Sequence, residues 1–180
     1  GNSDPAVVGG AESDQNSFIN LNFYHTGDYG IYMNNNMTDK WLCTGGEFVG
    51  QKKAGISINF NNLIHGGVFG ATFKDIDGPG IDFMGGNPQL AFRPYVTMVD
   101  QCEFIECGNA VRPAVDYGNG ELTSFTRCRI ITRHKKVKHG LVGGAQHYED
   151  VEIDVKLAAG GKALLLRGVR QGATARANGH

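Results

Sequence analysis

Phe23, Phe48 and Phe73 stand 25 residues apart, and each is followed seven residues later by Gly-Ile: Gly30-Ile31, Gly55-Ile56 and Gly80-Ile81. A fixed period of this length means that one supersecondary unit is stacked on copies of itself, because a single unit cannot bury its own apolar face. The repeat constrains the fold much more tightly than the function.

The period continues with looser spacing. The Phe position maps onto Phe104, Ile130 and Ile153. Two residues earlier stand Leu21, Gly46, Ala71, Cys102, Cys128 and Val151; five residues earlier stand Phe18, Cys43, Val68, Val99, Phe125 and Tyr148. The residue after the shared glycine reads Ile31, Ile56, Ile81, Val111, Leu141 and Leu164. Every column is apolar or small.

Within a unit, Leu21-Asn22-Phe23, Cys102-Glu103-Phe104 and Ile56-Ser57-Ile58 alternate in and out, the period of a strand with one buried face. Gly, Asn and Asp punctuate the runs, as in Asp75-Ile76-Asp77-Gly78-Pro79-Gly80, and suit tight turns. The one helix candidate, near Leu157–Leu166, is interrupted by Gly160-Gly161. Three short strands and three turns fit the period, whereas a propeller blade needs about 40 residues. The sequence therefore predicts an all-β fold, a right-handed parallel β-helix solenoid of about six coils with about 25 residues per coil.

Two irregularities stand out. The step from the third to the fourth coil is six residues longer, with the extra residues around Gly85–Pro94. The fifth coil lengthens around Arg133–His139, read here as a loop. Insertions in a solenoid emerge as loops, often on the binding face.

A chain of 180 residues suits one domain, expected over 18–170 between tails at 1–17 and 171–180. Net charge is −1 and the basic residues are scattered among acids, which argues against nucleic acid as a partner. No apolar run reaches the roughly 18 residues of a membrane span. Neither end shows an amphipathic capping helix, and the chain opens on Gly1 without Met. A homo-oligomer, or membership of a longer chain, is the resulting expectation.

Cys102 and Cys128 share an inward column on adjacent coils. That spacing suits either a disulfide or two stacked buried thiols. Asn34 and Asn59, Asn36 and Asn61, and Asn62 and Asn87 form turn columns suited to stacked hydrogen bonding.

The in-out-in runs, the Gly-Ile pairs and the Asn columns make residues 18–167 resemble the pectate-lyase-like superfamily of single-stranded right-handed β-helices. The Asn-Thr-Asp and Asp-Asp pattern of polygalacturonases and the Asp-Pro-His-Glu run of alginate epimerases are missing. The resemblance implies an extracellular, cell-surface or virion-associated protein. It would act on an acidic polysaccharide as a lyase or hydrolase. The superfamily also includes tailspikes, adhesins and non-catalytic shafts, so a glycan-binding or structural segment is the alternative.

Such enzymes lay the substrate across an exposed sheet under loops from one turn. The outward positions of the Gly-Ile strand read Tyr32, Ser57, Asp82, Arg112, Val142 and Leu165. Asp82 and Arg112 are expected as neighbours beside the inserted Phe92 and Arg93. Either guanidinium could grip a uronate carboxylate, with Asp82 as acid, base or calcium ligand. Calcium is the only cofactor this reading entertains. Tyr32 and Phe92 would offer a sugar platform. An exposed ion pair of little energetic consequence is the structural alternative.

A second outward column holds His25, Gly50, Asp75, Glu106 and Thr132, beside Asn22, Glu47, Thr72, Glu103, Arg129 and Glu152. Asp75 with Glu106, flanked by Glu103, could divide acid and base roles, or simply form a solvated face. His65 is expected at a turn. Lys135, Lys136 and Lys138 belong to the one dense basic run, suited to anionic polymers or to a solvated loop.

Overall fold

The structure, a computed structural model, describes residues 7–9, 15–33, 38–58, 63–83, 96–116, 123–143 and 147–166. Strand β1 (Val7–Gly9) precedes a first coil of β2 (Gln15–Ile19), β3 (Asn22–Tyr24) and β4 (Tyr29–Met33). The second coil is β5 (Thr38–Thr44), β6 (Glu47–Val49) and β7 (Ala54–Ile58). The third is β8 (Leu63–Phe69), β9 (Thr72–Lys74) and β10 (Ile81–Asp82), and the fourth β11 (Val96–Asp100), β12 (Glu103–Ile105) and β13 (Val115–Asp116). Then follow β14 (Thr123–Thr126) with β15 (Arg129–Gly143), and β16 (His147–Glu149) with β17 (Glu152–Leu166).

Every ladder between these strands is parallel, and each strand pairs with its counterpart one coil away. The fold is an all-β parallel solenoid of about five turns with about 25 residues per turn. Its first face carries six strands in the order β16-β14-β11-β8-β5-β2, hence five circuits from first to last. The second face is built on β3, β6, β9 and β12, the third on β1, β4, β7, β10 and β13. The long strands β15 and β17 belong to both. The ladder includes Val7–Gly9 and Gln15–Ile19, ahead of the expected start at 18.

The repeat has a steric origin. Phe23, Phe48, Phe73 and Phe104 lie in register and stack, with ring centroids 5.0, 4.8 and 4.9 Å apart. A Cβ on Gly30, Gly55 or Gly80 would fall 2.6, 2.6 or 2.5 Å from a ring carbon of Phe48, Phe73 or Phe104. Each glycine therefore makes room for the phenylalanine of the following coil, so the two markers recur together. Where the next coil carries Ile130 instead of Phe, Ala114 occupies the glycine position.

Two corners are left-handed. Between the first and second faces the corner residues are Asn20, Gly45, Gly70, Gln101, Arg127 and Asp150, with φ between 50° and 63° or +62° at Gly70. Between the second and third faces they are His25, Gly50, Asp75 and Glu106, at φ 50°, 75°, 54° and 51°. Each corner N–H for which the ladder continues donates to a carbonyl of the next coil, as His25 does to Val49 O at 2.7 Å and Asp75 to Ile105 O at 3.0 Å.

The second corner changes size along the axis. Gly30 follows Phe23 by seven residues, but Ala114 follows Phe104, and Gly140 follows Ile130, by ten. In the fourth coil the extra residues form a turn in which Asn109 and Arg112 bridge each other and Val111, at its tip, is 80% exposed. In the next two coils strand runs through the corner, with register shifts between Thr132, Val137 and His139. The expected loop at 133–139 is thus part of β15, and Thr132 is turned inward, donating to Cys107 O at 3.1 Å.

This widening corrects one column. Val115, not Val111, continues Ile31, Ile56 and Ile81 and pairs with Leu141. The columns through Phe18 and through Phe23 fall where the spacing put them, whereas Leu21, expected to point inward, is exposed. The Asn columns at 34/59, 36/61 and 62/87 lie outside the described residues.

Candidate functional site

The third face carries the most varied chemistry. Its outward column runs Tyr32, Ser57, Asp82, Asp116, Val142 and Leu165. Asp82 lies between Ser57 and Asp116, so two carboxylates project from adjacent strands about 4.8 Å apart. Ser57 and Asp116 are buried although they point away from the core. Tyr32 stacks on Tyr29 with centroids 4.8 Å apart. Lys53 Nζ sits 5.6 Å from the Tyr29 ring centre and 2.6 Å from Asp28 Oδ2. Burial pushes the Tyr29 phenol up, opposed by the Lys53 cation. The hydrogen bond to Asp28 raises Lys53, which keeps it charged.

Asp82 and Arg112 are not ladder neighbours, because the widened corner moves Arg112 four residues out of the expected column. Asp116 takes that place. Arg112 instead reaches back over two coils, donating to Lys53 O at 3.5 Å from the corner bordering this face. Its turn is fixed by Asn109, whose Oδ1 accepts from Val111 N and Arg112 N at 3.0 Å each. Asn109 Nδ2 also donates to Asp77 O at 2.6 Å. Phe92 and Arg93 lie outside the described residues.

The second candidate site is occupied by structural bonds. Asp75 and Glu106 are successive corner residues, but Glu106 is buried and accepts from Arg133 N at 2.7 Å and His134 N at 3.1 Å. It caps the start of the widened corner. Glu103 is paired with Arg129 at 3.0 Å, and Arg129 also holds Glu152 at 2.9 Å. Lys135 donates to Ile76 O at 2.9 Å and Lys138 to Ala159 O at 3.1 Å, while Lys136 is exposed. His65 lies within β8, in register with Lys40 and Val96, rather than at a turn.

Tyr29, Lys53 and Asp116 were missed in the sequence. Asp116 had a signal: Ala114-Val115-Asp116 repeats the small-apolar-Asp order of Gly80-Ile81-Asp82. Four residues earlier, Ala110-Val111 reads the same way and competes for the alignment.

Among the described residues no three His, Cys, Asp or Glu side chains gather as a metal site. No helix among the described residues is long and apolar enough to cross a membrane. Comparison with protein-family models, with curated proteins and with solved structures finds no match to this chain.

Proposed function

We propose that this chain is a carbohydrate-active β-solenoid that holds a glycan across its third face, with Asp82 and Asp116 as the acid–base pair of a hydrolase-like reaction. The reading takes the extracellular or surface setting and the polysaccharide partner from the likeness to pectate-lyase-like helices. Its main support is the register of Asp82 with Asp116 on the face that carries the Tyr29–Tyr32 stack, with Ser57 between Tyr32 and Asp82. Stacked tyrosines suit the flat apolar side of a sugar ring. Two carboxylates, one buried and one half-buried, suit division into acid and base. Such a pair suits hydrolysis of a neutral glycan rather than lyase chemistry on a uronate. Lys53 and Arg112 rim the face and can hydrogen-bond sugar hydroxyls.

The test is a panel of neutral and uronic polymers assayed for binding, reducing-end release and unsaturated product. Reducing ends from a neutral polymer are expected. Asp82→Asn should abolish release, and Tyr32→Ala should weaken binding about tenfold, near 1.4 kcal/mol. Unsaturated product, or binding indifferent to both substitutions, would overturn the proposal.

A second reading, a non-catalytic glycan-binding or structural segment that assembles with other chains, is favoured by the last coil. There Val151, Ile153, Val155 and Leu164 turn inward yet are only half-buried. Binding without product, together with a mass that rises with concentration, would select it.

A further inference from the structure

We propose that Cys102 and Cys128 form a disulfide that staples the fourth coil to the fifth. They precede Glu103 and Arg129, which are ladder partners, and so face each other across one parallel step. That step is about 4.8 Å, inside the Cα separation of roughly 4.4–6.8 Å that a disulfide spans. The Cys102 N–H already points at Cys128 Sγ, 3.4 Å away.

The register is clamped on both sides. Before the pair, Arg127 Nε donates to Asp100 Oδ1 at 2.9 Å and Thr126 Oγ1 to the same oxygen at 2.7 Å. After it, Arg129 bridges to Glu103 at 3.0 Å. Each bond crosses the same two coils, so the cysteines cannot slide past one another. Cys43 has Phe18 and Val68 as its column neighbours, and Cys107 follows another corner, so no other pair competes in register.

Both thiols are fully buried and donate to carbonyls, Cys102 to Asp100 O at 3.4 Å and Cys128 to Thr126 O at 3.0 Å. The hydrogen bond to Cys102, then burial, push the Cys128 thiol far above its ordinary value. Exchange needs a thiolate, so the bond closes as the fifth coil docks, before water is excluded. The oxidant is a small disulfide such as oxidised glutathione. One cysteine thiolate attacks it and releases one glutathione; the second attacks the mixed disulfide and releases another. Two protein thiols lose two electrons, and their two protons end on the two glutathiones.

The full chain, reduced and unfolded, is refolded with oxidised and reduced glutathione, then alkylated in denaturant. Intact mass and digestion at glutamate, which parts Cys102 from Cys107 at Glu103 and Glu106, locate the bond. A mass lower by two hydrogens and a Cys102–Cys128 linked peptide are expected. Tm should rise by about 5–10 °C over protein refolded reduced. Cys102→Ala/Cys128→Ala, treated alike, should show neither change. Four alkylated thiols, or a link involving Cys43 or Cys107, would overturn the proposal. Should the double variant not fold, the map of the parent chain decides alone.

Discussion

Replacing Gly55 by alanine tests the physical cause of the 25-residue repeat. A Cβ there would lie 2.6 Å from Phe73 Cδ1, 2.9 Å from Phe73 Cε1 and 2.7 Å from Gly80 O. The ring cannot turn away, because it is sandwiched between Phe48 at 4.8 Å and Phe104 at 4.9 Å. Gly55 is not in the left-handed region, so alanine meets no backbone penalty and the cost is steric alone. Overpacking of this kind costs about 1–3 kcal/mol, or roughly 3–10 °C in Tm for a chain of this size. Urea unfolding followed through Trp41, the one tryptophan, buried edge-on to Phe83, reads the loss.

A double-mutant cycle separates this clash from a general loss of packing. Phe73→Leu alone should cost about 1–2 kcal/mol. It also removes the ring atoms that the new methyl meets. The pair Gly55→Ala/Phe73→Leu should therefore be less destabilised than the sum of the singles, by about 1 kcal/mol. Strict additivity, or a Gly55→Ala variant within about 0.5 kcal/mol of the parent, would refute the claim that each glycine exists to admit the next phenylalanine.

Glu106→Ala removes the buried carboxylate that accepts from the Arg133 and His134 N–H groups and should cost about 1–3 kcal/mol in urea unfolding with glycan affinity unchanged. Lost affinity at intact stability would return Glu106 to the binding machinery. Asp100 is held below the usual carboxylate range, first by its hydrogen bond from Arg127. A lowered folded value means stability present above the unfolded value near 3.9 and lost as pH falls through the folded value. The Tm gap between the parent and Asp100→Asn should thus be full above about pH 5 and close progressively in more acid solution. A gap that widens on acidification would contradict the Asp100–Arg127 assignment.

Most of the fold was legible because a parallel solenoid converts sequence period directly into spatial contact. Phe18, Cys43, Val68, Val99, Phe125 and Tyr148 were aligned by spacing and pair in that order. The corners were less legible: Gly50 read as a member of an outward column, although it occupies a left-handed position, as Gly45 and Gly70 do. Non-glycine corners were harder to recognise. His25, Asp75 and Glu106 read as an outward working column, although their backbone bends the chain from one face to the next. A polar side chain at a corner and one on a sheet look alike in sequence; only the φ angle tells them apart.

The site was less legible because one local degeneracy propagated into chemistry. Ala110-Val111-Arg112 and Ala114-Val115-Asp116 both match the small-apolar-polar pattern, and the first keeps the shorter spacing of the earlier coils. Choosing it sets a guanidinium beside Asp82 and suggests a surface for uronates. The ladder instead sets Asp116 there, because the corner of the fourth coil has grown by three residues and carries Arg112 outward. A shift of four residues thus exchanges an expected Asp–Arg pair for two acids on adjacent strands. The fixed-period columns tolerate no such ambiguity, since a misplaced Phe48 or Ile56 would leave a hole in the core. An outward position is free to hold either Arg or Asp. Packing therefore dictates the apolar columns, whereas the identity of the polar ones must be read from the corner that precedes them.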